Sequence, residues 1–349
     1  MSVTDELSTA ALDEVEEKRR ERVLAGQVRT LETELAELRR LLNLTTAIDQ
    51  AKLKPPTWMT PPTRPVKAPG VACVALTDCH FDEVVRPEEM FDYNAYNRHI
   101  AEVRLRRWAN KTIGLARDHI NGIEWRGLTI FVGGDIFSGN IHDELIQTNA
   151  DTLYGSVVHW IEQVEAALTL LVNHFGKVHV AVTVGNHGRR TVKPRSKLRV
   201  RDNIEWLFWR VIERDFRADK RITWTIPEAM DTFLTIFNTR YQLTHGDQFR
   251  GGSGISGVLT PIMLGNYRKS RKSLAMGQPY ECLVLGHFHQ YLTLPGVIMG
   301  GCLKGYDEFA SSINVIPEPP TQAFWVTDPK WGVSIHAPIH VGDRRLEGW

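Results

Sequence analysis

Five short polar words close apolar runs of this 349-residue chain: Asp78-Cys79-His80, Gly133-Gly134-Asp135, Gly185-Asn186-His187, His245-Gly246-Asp247 and Gly286-His287-Phe288-His289. Two carboxylates, an amide and four imidazoles can be drawn from them as a ligand set, with no thiolate required. Oxygen and imidazole donors suit manganese, iron, zinc or cobalt rather than an iron–sulfur cluster or Cu(I). Asp78 and His80, and likewise His287 and His289, are two residues apart, so in extended backbone both members of each pair face the same way. Cys79 then points away and reads as structural. Seven ligands are too many for one ion and suit two, if one carboxylate is shared. Two ions about 3.5–4 Å apart can clamp a phosphoryl group and supply hydroxide near neutral pH.

These words need a scaffold that gathers them at one edge. Residues 71–77, 128–132, 178–184 and 281–285 are short β-branched runs that read as buried strands. Residues 233–237 and 241–244 flank a short turn and read as a hairpin. Between the second and third strands, apolar residues recur at steps of three and four from Ile146 to Phe175, which predicts one long amphipathic helix. Alternating strands and helices imply a mostly parallel sheet, whose carboxyl-terminal strand ends line a common crevice. Each glycine beside a polar word permits a sharp turn there.

The rest of the chain sets bounds. Residues 1–50 are predicted as an amphipathic helix, with Leu24, Val28, Leu31, Leu35, Leu38 and Leu42 on one stripe. That stripe offers either a short coiled coil, making a homo-oligomer through residues 24–42, or a helix packed on its own domain. Residues 51–69 hold six prolines and read as a linker, leaving residues 70–349 as the main domain. The tail beyond residue 300 is expected to complete a second sheet, with His336 and His340 as ordinary strand or loop residues. Four cysteines without framework spacing suit a reducing compartment. With no secretory signal and no apolar run of membrane length, the expectation is a cytoplasmic chain without a membrane partner. The formal net charge of +1 leaves any electrostatic argument to local clusters.

In this order, the five words resemble the signature of the calcineurin-like metallophosphoesterase superfamily, over about residues 71–300. The resemblance implies a four-layer α/β/β/α sandwich of two mixed sheets, with the N-terminal helix as an extension. It implies that Asp78, His80 and His289 hold one divalent ion and that Asn186, His245 and His287 hold a second, with Asp135 bridging. His187 would stand beside them, stabilising the phosphoryl charge or protonating the leaving oxygen. Manganese is the expected metal, among iron, zinc, cobalt and magnesium. The His287-Phe288-His289 word is similar to the Mre11/SbcD-type nuclease and phosphodiesterase branch. Ser138 and Gly188 depart from that branch, which usually has Asp or His at the first place and an acid at the second. Protein phosphatases usually continue Gly-Asp-x-x-Asp-Arg-Gly, which is absent after Gly134.

Local charge bears on the substrate. Seven cations, Arg189, Arg190, Lys193, Arg195, Lys197, Arg199 and Arg201, follow the Gly185-Asn186-His187 word. Arg268, Lys269, Arg271 and Lys272 form a second cluster, and both are expected on the active-site face. Such segments suit a polyanion tracked along its backbone. The expectation is therefore a phosphodiesterase acting on DNA or RNA, with Arg189 and Arg190 binding substrate. The alternatives are a small-molecule phosphatase or pyrophosphatase, a cyclic-nucleotide phosphodiesterase, and a non-catalytic oligomeric scaffold.

Overall fold

A computed structural model describes residues 21–36, 56–60, 68–250 and 257–349. Two compact units divide the chain, Met1–Lys54 and Pro55–Trp349. In the first, residues 21–36 are helical, with Leu24, Val28, Leu31 and Leu35 exposed. Leu38, Leu42 and most of the predicted linker lie outside the described residues. Within that linker segment, Trp58 and Met59 are buried, and Met59 O accepts a hydrogen bond from Phe237 N at 2.7 Å.

The second unit is mixed α/β, with one long path of strands. Four strands run parallel: β1 (Pro69–Thr77), β2 (Glu124–Gly134), β3 (Val178–Val182) and β4 (Ile222–Thr225). On the other side lie β5 (Thr232–Ile236), β6 (Thr239–Leu243), β7 (Cys282–Leu285), β8 (Tyr291–Leu294) and β9 (Val297–Cys302). The predicted hairpin is β5–β6, and β6, β7 and β9 pair in parallel. Strand β10 (Thr321–Asp328) joins the halves, pairing antiparallel with both β1 and β9, and β11 (Gly332–His340) pairs with β10. The tail therefore adds first to β1 instead of simply completing a second sheet. His336 and His340 lie on β11, and His340 meets the Thr321 hydroxyl at 3.1 Å.

Period-2 alternation explains how these strands bury both faces. Ala72, Val74 and Leu76 of β1 belong to one core with residues of α1 (Arg98–Gly114), among them Trp108. Helix α2 (Asp143–Thr148) stands apart, whereas α3 (Leu153–Phe175) and α4 (Ile204–Asp215) supply Trp160 and Trp209 to that core. Val71, Cys73 and Ala75 face a second core shared with Tyr241, Leu243, Cys282 and Val284. Leu283 and Leu285 turn to a third core, where Ile262 of α5 (Leu259–Ala275) packs. A period of two thus places successive residues of β1 and of β7 in different cores.

The single long helix predicted from Ile146 onward is instead two. Ile146 is exposed, and the backbone leaves the helix at Asn149–Asp151. There Ala150 N donates to Asp82 O at 2.8 Å, and Asn149 bonds Ser138 Oγ and Gly139 O. Thr152 then caps α3 through its hydroxyl. Tertiary hydrogen bonds outweigh the apolar period at this break.

Candidate metal centre

All five polar words converge, because each follows the carboxyl end of a strand or its loop. Two groups of donor atoms form: Asp78, His80 and His289, and Asp135, His245 and His287, each with its atoms within 4.8 Å of one another. In the first, His80 Nε2 lies 3.1 Å from His289 Nε2, and Asp78 Oδ1 is 3.6 Å from the latter. In the second, His245 Nε2 is 3.0 Å from both Asp135 Oδ2 and Asn186 Oδ1. Cys79 is buried and belongs to neither group.

The backbone is strained to achieve this. Asp78, His80, Asp135, His287 and His289 have φ of +49°, +47°, +50°, +71° and +56°. Left-handed backbone is uncommon for non-glycine residues and collects where the surroundings over-determine a conformation. The neighbouring glycines let the loops lie main chain on main chain: a Cβ on Gly134 would sit 2.3 Å from Gly185 N. Rings are aimed through their far nitrogens. His245 Nδ1 lies 2.8 Å from Gly133 O, His187 Nδ1 lies 2.7 Å from Ser138 O, and His80 Nδ1 is 3.2 Å from Glu83 Oε2. Such partners fix a tautomer and leave Nε2 for the pocket.

Charge balance separates this pocket from the rest of the interior. Apart from Glu205 behind the Asp135 and Asn186 loops, the other buried acids among the described residues have a cation: Asp82 pairs with Arg98, Glu83 and Asp307 with Lys304, and Glu347 with Arg104. Asp78 and Asp135 are equally buried, yet no Lys or Arg among the described residues pairs with either. Burial, aided by Asp135, raises the Asp78 carboxyl to about 6. Burial opposes ionisation of Asp135 too, but His245 and His187 hold it well below the usual carboxylate range. Burial would lower His245, and the adjacent Asp135 instead raises it to about 10. A proton on His245 therefore stands in for missing positive charge. Two buried carboxylates without a Lys or Arg counterion, four imidazoles and an amide oxygen form a donor set that fits divalent cations.

His187 lies beside both groups. Its N–H donates to Asp135 Oδ1 at 2.7 Å, and burial lowers its imidazole to about 4. His142, exposed at the start of α2, has its ring 5.8 Å from that of His187. Arg189 is engaged within its own loop: its guanidinium donates to the carbonyls of Asn186, Thr191 and Val192 at 2.7–2.8 Å. Arg190 pairs with Asp202 and Arg199 with Asp247, both at 2.6 Å, and Arg201 approaches Glu228. Lys193, Arg195 and Lys197 are exposed and have no acid partner among the described residues. In the second cluster Lys269 is buried on Asp231 and Thr244, not projecting, whereas Arg268 and Arg271 are exposed. A cavity of about 610 Å³ lies at the opposite ends of the strands, among the turns of Thr239, Gly296 and Trp331, and gathers none of these ligands.

Sequence reasoning overlooked Glu83, Lys304 and Glu205, which grip the ligand loops from behind. None lies in a polar word, and Glu205 reads as an ordinary acidic residue in a first helical turn.

No protein-family model and no curated protein matches the chain. Among solved structures it is similar to vacuolar protein sorting 29 from Cryptosporidium parvum, at 12% identity and a TM-score of 0.31, covering 77% of this chain and 96% of that one. It is also similar to a conserved Streptococcus pneumoniae protein described as a predicted phosphoesterase, at 9% identity and a TM-score of 0.29, covering 79% and 98%. A third is Vps29 from Entamoeba histolytica complexed with zinc, at 11% identity and a TM-score of 0.26, covering 77% and 99%. At these scores the likeness carries no argument about function, which rests on the side-chain geometry above. Among the described residues no helix is long and apolar enough to cross a membrane.

Proposed function

We infer that the chain is a dimetal phosphoesterase of the calcineurin-like kind, cleaving phosphodiester bonds of nucleic acid. The observation that carries this is the pair of ligand groups around two buried carboxylates without a Lys or Arg counterion. One long path of strands about three cores, with helices packed in the first and third, suits the four-layer sandwich of that superfamily. In this reading Asp78, His80 and His289 hold one ion, Asn186, His245 and His287 the other, and Asp135 both. When bound, the ions would polarise phosphoryl oxygens and lower the pKa of a water between them. Manganese remains the first choice, and the donor set also accepts iron, zinc and cobalt.

The chain's own residues then orient and protonate. Asn186 contributes a neutral oxygen that does not repel phosphate. His187, with Nδ1 committed to Ser138 O, presents Nε2 to the pocket. It is neutral in the bare pocket, and a phosphate anion beside it favours the imidazolium that donates to the leaving oxygen. His187→Ala should cut kcat by about 10²–10⁴-fold. Bound metal should stay at the wild-type amount, measured by elemental analysis.

The nucleic-acid reading draws support from Lys193, Arg195 and Lys197, with Arg268 and Arg271 on α5. The internal pairing of Arg189, Arg190, Arg199 and Arg201 leaves less free charge than the sequence count, and it favours a small phosphodiester as the second reading. A panel of DNA, RNA, cyclic nucleotides and para-nitrophenyl mono- and diesters with Mn²⁺ tests this. Cleavage of a polynucleotide, abolished by chelation, with binding that weakens steeply as salt rises, is expected. Hydrolysis of small diesters alone would replace nucleic acid with the second reading.

A further inference from the structure

Resting on the dimetal reading, we propose that Glu205 is a positioning residue that fixes the Asp135 loop against the Asn186 loop, both of which serve the second ion, in space left open by Gly188. Three carboxylates near the pocket are buried without a Lys or Arg partner among the described residues: Asp78, Asp135 and Glu205. The first two are in the ligand groups and Glu205 is not. Its oxygens are divided between the two loops. Oε1 accepts from Ile136 N and Oε2 from Gly185 N, each at 2.9 Å. Ile136 directly follows Asp135, and Gly185 directly precedes Asn186, so one carboxylate grips the main chain beside a ligand in each loop.

The helix that carries Glu205 is itself fastened to the same loop. Asn203 caps α4 by accepting from Glu205 N, and its amide donates to Gly185 O, both at 2.9 Å. Ile204 N donates to Gly188 O at 2.9 Å. A Cβ on Gly188 would lie 2.3 Å from Asn203 Oδ1 and 2.8 Å from Glu205 Cγ. The loop therefore cannot carry a side chain here unless Glu205 and Asn203 move. Because the Asp135 and Asn186 loops touch through main chain, displacing the carboxylate shifts one against the other. Groups that orient ligands in this way typically change metal affinity about 10–100-fold when altered.

Two substitutions attack the contact from opposite sides. Glu205→Gln keeps the shape but turns an NH₂ toward one of the two N–H donors. Gly188→Ala keeps the carboxylate and pushes it aside. Metal-stripped wild type and both variants are titrated with Mn²⁺ by calorimetry, with thermal unfolding followed in parallel. Expected is two ions on wild type, and on each variant one ion near wild-type affinity with the other about 10–100-fold weaker. Hydrolysis by the variants should recover as Mn²⁺ is raised. Unchanged affinities in both variants, or equal weakening of both ions, would overturn the positioning role while leaving the dimetal centre standing. Absence of Mn²⁺ binding by wild type would sink the dimetal reading itself. Should Glu205→Gln fail to fold, Gly188→Ala decides alone.

Discussion

Asp135→Asn is expected to lower phosphoester hydrolysis by about a thousandfold or more, because several kcal/mol of transition-state stabilisation depend on both ions being in place. The amide keeps the size of the side chain, so the effect is chemical. Asp135 is 1% exposed, and its oxygens meet His245 Nε2 at 3.0 Å and His187 N at 2.7 Å. Neutralising it removes the shared charge between the ligand groups and one reason for His245 to be cationic. Bound Mn²⁺ should fall from two ions to one or none, while urea unfolding remains cooperative. Hydrolysis within tenfold of wild type would show that the bridging role is misassigned.

Lys304→Met is the second large effect, and it falls on stability. Lys304 is 2% exposed, with its ammonium 2.6 Å from Glu83 Oε1 and also bonded to Asp307. Burial alone would raise the Glu83 carboxyl, but the Lys304 ammonium and His80 hold it below the usual carboxylate range. Removing the cation leaves two buried carboxylates facing each other, and breaking a buried pair from one side costs about 3–5 kcal/mol. Urea denaturation measures that loss directly. Because Glu83 also stands 3.2 Å from His80 Nδ1, the same change should loosen the Asp78–His80–His289 group. Adding Glu83→Gln and Asp307→Asn to Lys304→Met should recover part of the stability, since no buried charge is then stranded. A loss below about 1 kcal/mol would place these groups in water, contrary to their burial.

What was readable in the sequence follows from periodicity and local chemistry. Strands β1, β2, β3 and β7 are apolar runs bounded by turns, so their existence and the polar words at their ends could be found without coordinates. The break between α2 and α3 could not, because Ile146 and Ala150 continue the helical period and only the contacts of Asn149 and Ala150 with the Asp82 and Ser138 loops end it. The basic run from Arg189 to Arg201 was legible as charge but not as free charge. Of its acidic partners, Asp202 follows the run directly, whereas Asp247 and Glu228 lie further along the chain. Glu205 was invisible for a related reason. Its carboxylate acts on the main chain of Ile136 and Gly185, and main-chain donors leave no mark in residue types. The two clusters of donor atoms were readable because their members are spelled out in side chains.

Calorimetric titration of the metal-stripped chain with Mn²⁺ asks whether two divalent ions share this pocket, as proposed. Two ions per chain are expected, with protons released to solvent as the incoming cation displaces the proton of His245. A stoichiometry of one ion or none, in folded protein, would contradict it.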